Sequence, residues 1–376
     1  MKPQTVFCPN LDCLARGQVG KGNIGIHSRK EHRYICHVCD KTFVATQGAV
    51  FYRLQTEQEV VTTVIALLAH GCPLPAIVAV FKLDERTVAD WQARAGKHCE
   101  QVHEQLVEQP RDLGQVQADE IRVKLSKLVV WLAMALQVST RLWLGATLGE
   151  HRDEALLTAL MRRIRACALC RPLLFCVDGF VAYRGAIQTV FREAIPTGQQ
   201  GRPQLRPWDG ILMAQVVKQY AGRHGHVSDV VRRIVLGTET QVKTLLQITQ
   251  GGGVINTAYI ERINATFRAR LAGLVRRGRC LVHHTSTLQT GVYLVGTVYN
   301  FCTNHDTLRV RVPLYLGWAE RRHWVLRTPA MAAGITDHCW TVQELPGYHV
   351  PPSHGTPPKH RGRPSKATTE LIKKWC

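Results

Sequence analysis

Strand-like and helix-like segments alternate between residues 114 and 310, and this alternation constrains the fold of the 376-residue chain more than any other feature. Leu173 to Val177 is a short apolar run, which is typical of a strand buried on both faces. Val129 to Val138 and Arg141 to Thr147 read as two paired strands. Glu150 to Ala168 has the apolar spacing of an amphipathic helix. Alternating strands and helices of this kind are typical of an α/β domain.

Three acidic residues occupy informative positions in this segment. Asp178 follows the apolar run directly and precedes Gly179, which places it at the end of the predicted strand. Asp119 follows the short run Val116-Gln117-Ala118, and Glu261 lies in a helical stretch. Two carboxylates at strand ends and a third on a helix are what a fold needs to hold two divalent ions beside a phosphodiester. The three acids are therefore candidates for one metal site.

The residue next to Asp119 leaves an alternative open. Glu120 is also acidic, and successive side chains of a strand point to opposite faces of the sheet. The pattern therefore predicts that Asp119 and Glu120 face opposite ways. It does not decide which of the two faces the site.

Four cysteines in two close pairs lie in the first fifty residues, and they are Cys8, Cys13, Cys36 and Cys39. Four thiolates in two pairs can close a tetrahedral zinc site, which stabilises a segment too short for a core of its own. His32 and His37 are alternatives for one ligand, and four ordinary buried cysteines are the simpler interpretation. A second pair, Cys167 and Cys170, has no partner pair nearby, so we interpret it as core or incidental.

Residues 56 to 97 have the pattern of three short helices. Gly71 and Pro73 separate the first two, and Asp84 is placed to cap the third, which the pattern runs from Glu85 to Arg94. Residues 98 to 113 read as a charged amphipathic connector. A last helix that carries polar side chains outward is the layout of a helix-turn-helix, whereas a small structural bundle is the alternative. The candidate DNA-contacting residues of this helix are Arg86, Thr87 and Arg94.

The chain is strongly basic. It has 48 Lys and Arg against 28 Asp and Glu, a net charge of +20 and a pI near 9.7. An anionic polymer is the first partner to consider. A membrane surface fits less well, because the longest apolar run, Leu128 to Val138, is about half of a spanning helix. No apolar signal core follows Met1-Lys2-Pro3-Gln4, so we expect an intracellular protein whose thirteen cysteines are thiols or metal ligands.

Arginines concentrate in two further places. Six of them surround Glu261 and the residues after it, and they are Arg262, Arg268, Arg270, Arg276, Arg277 and Arg279. Phosphate contacts explain such a series, and a solvated helix face is the alternative. The C-terminal tail holds Arg361-Gly362-Arg363-Pro364 between lysines. This tail resembles an AT-hook, which fits the narrow minor groove of A·T-rich DNA, although a nonspecific basic tail has the same composition.

Taken together, these motifs resemble a known family. The chain has zinc-ligand cysteines, then a helix-turn-helix pattern, then four sequence motifs: Gln117-Ala118-Asp119-Glu120, Phe175-Cys176-Val177-Asp178-Gly179, Asn256-x4-Glu261-Arg262-Ile263-Asn264 and Tyr299-Asn300-Phe301-Cys302. This order is similar to that of DDE transposases of the insertion sequence one type. The resemblance spans roughly residues 8 to 305. Its second and third motifs are the most specific, because acid, Asn and arginines recur together.

The resemblance sets the expected fold class, which is multidomain. It comprises an N-terminal zinc ribbon, an all-α helix-turn-helix, and an α/β RNase H-like catalytic core with a mixed sheet. The predicted segments are a zinc-binding ribbon at 1–50, a helix-turn-helix at 51–113, the DDE catalytic domain at 114–310, a C-terminal extension at 311–350 and a basic tail at 351–376.

The resemblance also implies an activity, namely cleavage and strand transfer of DNA with Mg²⁺ or Mn²⁺ as cofactor. By this similarity Asp119, Asp178 and Glu261 are the catalytic metal ligands, and Asn264 and Arg268 position the site or contact DNA. The implied partners are the terminal inverted repeats of an insertion sequence and target DNA, with no membrane. A homodimer or larger assembly is expected because two ends must be paired. The expected location is the cytoplasm of a prokaryotic cell, in association with the nucleoid.

Two other functions are compatible with the same motifs. One is a DNA-binding regulator, or a domesticated transposase relative, that keeps the fold without catalysis. The other is a metal-dependent nuclease that does not join strands. Cleavage and joining assays separate these alternatives from a transposase.

Overall fold

The structure is a computed structural model that describes residues 1–126, 128–195, 204–221, 226–275, 282–316 and 319–351. The chain divides into two compact units. Residues 1–48 and the segment from His349 form the first unit, and Ala49–Tyr348 form the second. The predicted tail residues Arg361 and Arg363 lie outside the described residues.

The first unit is built round a small antiparallel sheet. Its strands, in the order β1-β2-β3, are β1 (Ile24–Ser28), β2 (Arg33–Cys36) and β3 (Thr42–Val44). Tyr34 and Phe43 pack with their rings 5.7 Å apart in a core that also contains the buried Cys8, Cys13 and Cys36. This core is small, which is what the sequence predicts for a segment of this length.

The second unit contains all the longer helices of the described chain. Their bounds are α1 (Gln58–Ala69), α2 (Leu74–Phe81), α3 (Glu85–Leu106), α4 (Glu154–Cys167), α5 (Ala182–Val190), α6 (Glu239–Gln250), α7 (Ala258–Arg270) and α8 (Thr285–Cys302), followed by the short α9 (Pro329–Ala332) and α10 (Glu344–Gly347). No helix in the described ranges is both long and apolar enough to cross a membrane.

A six-stranded mixed sheet forms the centre of this unit, which confirms the expected α/β class. Its strands are β4 (Gln115–Lys124), β5 (Val129–Gln137), β6 (Trp143–Gly149), β7 (Leu173–Asp178), β10 (Ile211–Ala221) and β11 (His226–Leu236). They lie in the order β11-β10-β7-β4-β5-β6. The strands β4, β5 and β6 are antiparallel neighbours, β7 runs parallel to both β4 and β10, and β11 is antiparallel to β10.

Two separate hairpins complete the strands. One pairs β8 (Arg192–Ile195) with β9 (Gln204–Pro207), and the other pairs β12 (His305–Leu316) with β13 (Ala319–Arg327). As a sequence, Tyr183 to Ala194 reads as one helix, and this prediction is wrong at its C-terminal end, because β8 begins at Arg192. The helix α5 ends at Val190, and the next residue, Phe191, packs against Trp208 with ring centres 5.4 Å apart.

The central strand β7 is buried on both faces, as its apolar run predicts. Leu173, Phe175 and Val177 pack against α4 and α5, whereas Leu174 and Cys176 pack against α6. The period of two in a strand assigns alternate residues to these two layers. The sheet is therefore the middle of three layers, and Asp178 ends its central strand.

The helix α3 is longer than the sequence pattern predicts. It does not end near Arg94 but continues to Leu106 through the segment interpreted as a connector. Gly96 lies within it because α8 packs closely there, and a Cβ atom at this position would overlap the backbone of Thr290. A glycine that looks like a helix breaker in sequence is a packing contact in the fold. The predicted Asp84 cap is confirmed, since its carboxylate accepts a hydrogen bond from the Arg86 backbone N–H at 2.9 Å.

Candidate metal centres and their surroundings

An open cleft of about 690 Å³ lies at the end of the central strands. The acidic residues that line it are Asp119, Glu120, Asp178 and Glu261. Basic and amide side chains line it as well, and they are Arg152, Lys218, Asn264 and Arg268. The fold therefore brings all three sequence-predicted acids to one cleft, although they are far apart in the chain.

Alternate side chains of β4 attach the sheet to the helices on one face. Gln115 accepts a hydrogen bond from Thr249 of α6 at 2.7 Å. Two residues on, the Gln117 side-chain oxygen accepts from the backbone N–H groups of Tyr259 and Ile260, each at 3.0 Å. These N–H groups belong to the first turn of α7, where helical donors lack internal partners. Gln117 thus caps α7 from a strand about 140 residues earlier.

This cap determines how Asp119 and Glu261 meet. Asp119 lies two residues beyond Gln117 and therefore on the same face, where Asn264 of α7 donates to it at 2.7 Å. Glu261 lies three residues before Asn264 on α7, and residues three apart are neighbours on one side of a helix, so Glu261 lies close to Asn264. The buried Gln117 and Asn264 together fix the helix that carries Glu261 against the strand that carries Asp119.

Glu120 faces the opposite layer, as strand alternation predicts. Its buried carboxylate accepts two hydrogen bonds from Arg152, at 2.9 and 2.7 Å, and one from the hydroxyl of Tyr183 on α5. Burial raises the pKa of Glu120, while Tyr183 and Arg152 oppose the rise. Every oxygen of this carboxylate already has a partner, so its contacts are those of a structural ion pair.

Asp178 lies between the two faces because it ends β7. One carboxylate oxygen accepts from Arg152 at 2.6 Å, and the other accepts from the backbone N–H of Phe180 at 2.9 Å. A carboxylate oxygen of Asp178 lies within 4.8 Å of one of Asp119 and one of Glu120. Asp119, Glu120 and Asp178 are therefore a compact acidic cluster that could bind metal.

Glu261 lies in the same cleft but outside that compact cluster. Its side chain is 48% exposed and pairs with Lys218 of β10 at 2.7 Å, while Thr257 donates to the same oxygen at 3.1 Å. A solvent-exposed ion pair is weak, on the order of 1 kcal/mol or less, so it does not hold the carboxylate strongly. The glutamate can exchange Lys218 for another cation at little cost.

The electrostatics of Asp119 fit a cation site. Burial raises the pKa of its carboxyl to about 6, and the charges of Asp178 and Glu261 add to this rise. Acidic groups that crowd together in this way destabilise one another unless a cation lies between them. Carboxylate oxygens are the ligands that hard divalent cations prefer. The donor set is therefore suitable for an ion such as Mg²⁺.

The four N-terminal cysteines form a second candidate centre. Their sulfur atoms lie within 4.8 Å of one another, with 3.6 Å between Cys8 and Cys39 and 3.8 Å between Cys13 and Cys36. Tetrahedral zinc with sulfur at about 2.3 Å requires sulfur pairs about 3.8 Å apart. Burial opposes ionisation of the Cys39 thiol, but the backbone N–H of Lys41 and the side chain of Asn10 outweigh it, and the pKa falls to about 7.

The alternatives for these sulfur ligands are not favoured. Neither His32 nor His37 belongs to the cluster among the described residues, and His37 instead lies over Gly25. Cys167 is buried in the α4 layer, whereas Cys170 is exposed. The second pair belongs to no cluster of possible metal ligands in the described parts of the chain.

The predicted DNA-contacting residues divide into three groups. Arg86 is exposed on α3 and Thr87 half-buried, while Arg94 pairs with Asp90 at 2.9 Å and donates to the backbone of Tyr52 at 3.1 Å. Arg262 is exposed on α7, whereas Asn264 and Arg268 line the cleft. Arg276, Arg277 and Arg279 lie outside the described residues.

Sequence reasoning missed Arg152, Tyr183, Lys218 and Gln117. Arg152 and Tyr183 gave no signal, because an arginine before a helix and a tyrosine within one are common. Gln117 carried a weak signal, since it is a polar residue between apolar neighbours in a predicted strand. Such a residue is buried only if it finds hydrogen-bond partners.

Comparison with known proteins gives no family assignment. No protein-family model matches this chain, and no curated protein matches it.

Proposed function

We propose that this protein is a transposase that binds the terminal inverted repeats of an insertion sequence, cleaves DNA there and transfers the strand to a target. One observation carries the proposal. Asp119 and Asp178, on neighbouring strands, and Glu261, on a helix capped by one of those strands, line a single cleft that arginine, lysine and amide side chains surround. Acids within a basic rim are the arrangement expected for metal-dependent chemistry on a phosphodiester.

The sheet supports the same proposal. Three antiparallel strands are followed by parallel ones that join through helices, and the acids lie on the central pair β4 and β7 and on a later helix. This arrangement is compatible with the RNase H-like core that the sequence resemblance implies. The helices α1 to α3 would serve as the helix-turn-helix, and the cysteine cluster would hold Zn²⁺ in a ribbon that helps to recognise the ends.

Asp119, Asp178 and Glu261 would hold Mg²⁺ or Mn²⁺. When bound, such ions activate the attacking water or 3′-hydroxyl and stabilise the leaving oxygen. The protein's own residues do the rest. Asn264 holds the Asp119 carboxylate in place. Arg268 and Lys218 supply positive charge that attracts the phosphodiester to the cleft.

Glu120 is not proposed as a catalytic ligand. Its side chain is completely buried and its oxygens are taken by Arg152 and Tyr183, so recruiting it would break a buried ion pair. Asp178 also contacts Arg152, but its side chain is 38% exposed, so a metal ion can displace that contact at lower cost. Arg152 reaches both Glu120 and Asp178 and holds the end of β7 beside β4. These contacts therefore favour Asp119 over Glu120 as the metal ligand.

The test is cleavage of a labelled duplex that carries the sequence flanking the gene, with Mg²⁺ or Mn²⁺ present. Asp178→Asn and Glu261→Gln should abolish cleavage and joining while binding of the duplex persists. Asp209→Asn is the matched control, because Asp209 is exposed on a turn away from the cleft. Full activity in both site variants would refute the triad.

The same assay separates the alternative functions. Binding of the duplex without any cleavage by the wild type would favour the DNA-binding regulator. Cleavage without joining to a second duplex would favour the nuclease. A chain that contains about one zinc per molecule, lost when Cys36→Ser is introduced, would support the ribbon. A fully folded chain without zinc would count against it.

A further inference from the structure

The helix α7 presents a second functional face. Glu261, Asn264 and Arg268 line the cleft, whereas Tyr259, Arg262 and Arg270 lie on another side of the same helix. Residues three, four or seven positions apart align along one side of a helix. By this spacing, one side of α7 carries Tyr259, Arg262, Thr266 and Arg270. A strip of cationic and aromatic side chains therefore runs beside the acidic face.

Residues from other elements converge on this strip. Arg141, in the turn between β5 and β6, lies over the ring of Tyr259, with its guanidinium carbon 3.9 Å from the ring centre. The Tyr299 hydroxyl of α8 donates to the Arg141 backbone oxygen at 3.2 Å. The Tyr299 ring packs edge-on against His305 at the start of β12, 4.8 Å between ring centres. We refer to Arg141, Arg262, Arg270 and His305 as the basic cluster.

The basic cluster has unused hydrogen-bonding capacity. Nη1 of Arg141, Nη1 of Arg270 and Nε2 of His305 are buried and have no hydrogen-bond partner among the described residues. None of the three arginines forms an ion pair with a carboxylate within the described ranges. Buried donors of this kind are normally satisfied, so each orphaned group calls for an explanation. A single bound anion would accept hydrogen bonds from both guanidinium groups, and from Nε2 of His305 in the tautomer that carries its proton there.

The positive charges of the basic cluster repel one another. Burial lowers the pKa of His305, and Arg262, Arg141 and Arg270 lower it further, while exposed Asp306 opposes them only weakly. Burial also lowers the pKa of Arg141 and of Arg270. Arg270 is the last residue of α7, where the helix dipole offsets part of the free-energy cost of burying a cation. The dipole does not supply a hydrogen-bond acceptor for the buried guanidinium nitrogen.

The basic cluster also adjoins the turn between α1 and α2. A Cβ atom on Gly71 would lie 2.8 Å from the Cα of Arg270, so the turn packs directly on the end of α7. The left-handed φ of +86° at Gly71 and this close contact both require glycine. The Arg270 end of the basic cluster thus lies against the turn between two of the predicted DNA-binding helices.

We propose that the basic cluster binds a phosphate group of DNA, with Arg141 and Arg270 donating to its two non-bridging oxygens. Guanidinium groups suit this ligand because their fixed N–H groups match the spacing of phosphate oxygens. This inference rests on the proposed function in that DNA is the ligand. It adds an anion site that is distinct from the acidic cleft and fixes the strand on its way from the helices to the acids.

The experiment measures binding of the full-length protein to the fluorescein-labelled flanking duplex over a range of NaCl concentrations. Arg270→Gln and Arg141→Gln should each weaken binding about tenfold or more at low salt. Because both arginines contact one phosphate, the double variant should reduce the magnitude of the salt slope by about 0.9, the value for one lost phosphate contact, and each single variant should reduce it by part of that amount. Arg162→Gln, on the exposed side of α4, is the control of equal charge and should change both little.

A second measurement distinguishes ligand binding from a structural role. Without DNA, Arg270→Gln should melt at the wild-type temperature or above, because the change removes an uncompensated buried cation. Arg270→Lys keeps the charge and should retain the salt slope while losing affinity. A lower melting temperature for Arg270→Gln together with wild-type binding by Arg270→Lys would overturn the proposal, and so would equal salt slopes in Arg270→Gln and Arg162→Gln.

The outcomes also separate this site from the proposed activity. If the wild type binds DNA but never cleaves it, while the Arg270→Gln slope is reduced, the phosphate site stands and the transposase does not. If the wild type cleaves and joins DNA while the Gln variants bind normally, the transposase stands and the phosphate site does not. A wild type without DNA affinity overturns both.

Discussion

Replacing Arg152 with methionine tests the central electrostatic argument about the cleft. The Glu120 side chain is completely buried, and Arg152 supplies two of its three hydrogen bonds. Methionine keeps an apolar stem that can pack against Trp131 and Phe180, where the guanidinium now lies. The substitution therefore removes the charge while it keeps much of the packing volume.

The size of the effect follows from burial. Removing one partner of a buried ion pair costs about 3–5 kcal/mol, because the other charge remains uncompensated. Arg152 is itself 31% exposed, which places the expected loss at the lower end, about 3 kcal/mol. Its contact with Asp178 contributes less, roughly 1 kcal/mol at most, since that side chain is 38% exposed.

A double-mutant cycle isolates the pair. Glu120→Gln in the Arg152→Met background removes the stranded charge and still accepts a hydrogen bond from Tyr183. We expect it to recover roughly 2 kcal/mol of the loss, so the two changes are strongly coupled. The free energy of unfolding is measured by urea denaturation at neutral pH for all four chains. Arg184→Met, on the exposed side of α5, is the control and should change stability by less than about 0.5 kcal/mol.

Two results would refute this reasoning. In one, Arg152→Met unfolds at the same urea concentration as the wild type, so the ion pair contributes nothing. In the other, the double variant is no more stable than Arg152→Met, so the loss came from packing and not from an unpaired carboxylate.

Three further predictions follow from buried groups. Gln117→Leu leaves two N–H groups of α7 uncapped, so it should lower the free energy of unfolding by about 1–2 kcal/mol and weaken Mn²⁺ binding. Gln188→Leu, at an exposed position, is the control and should do neither. Unchanged Mn²⁺ affinity in Gln117→Leu would contradict the positioning role. Burial lowers the pKa of His103 to about 3 in the folded chain, whereas an unfolded histidine has a pKa of about 6.5. As the pH falls below about 6.5, His103 is protonated in the unfolded chain but not in the folded one, so stability falls by about 1.4 kcal/mol per pH unit. His103→Gln should flatten that slope by one proton in denaturation curves, and exposed His151→Gln should not. Chelation of zinc should melt the residues 1–48 while far-UV signals of the sheet persist, and a single cooperative loss of both would argue against separate units.

Local sequence patterns predicted much of the fold correctly. The apolar run before Asp178, the pairing of β5 with β6, and the presence of three helices from residue 56 onward, though not the length of the third, all depend on periodicity, which local residues determine. As sequences, the apolar segments Ile211 to Tyr220 and Val227 to Leu236 do not distinguish helix from strand. They form β10 and β11 because β10 pairs with the exposed edge of β7, a contact that lies outside either segment.

The site was predicted in part. The sequence identified Asp119, Asp178 and Glu261, and the fold brings all three to one cleft. It did not identify Arg152, which spans Glu120 and Asp178, or Lys218, which pairs with Glu261. These partners are 26 to 43 residues away along the chain, and no short-range pattern links an arginine in a loop to a carboxylate on a strand.

The sequence by itself determined the elements of this protein: the spacing of the cysteines, the buried strand with an acid at its end, and the basic balance of the chain. Strand alternation also determined that Asp119 and Glu120 face opposite layers. Only the tertiary structure decided which partners each of them meets in the cleft that both line. Gln117 caps α7 across 142 residues and thereby draws Glu261 to Asp119, while Tyr183 and Arg152 engage Glu120 on the other side. The physical reason is that periodicity acts over one or two turns, whereas the satisfaction of a buried polar group depends on whatever the fold places beside it.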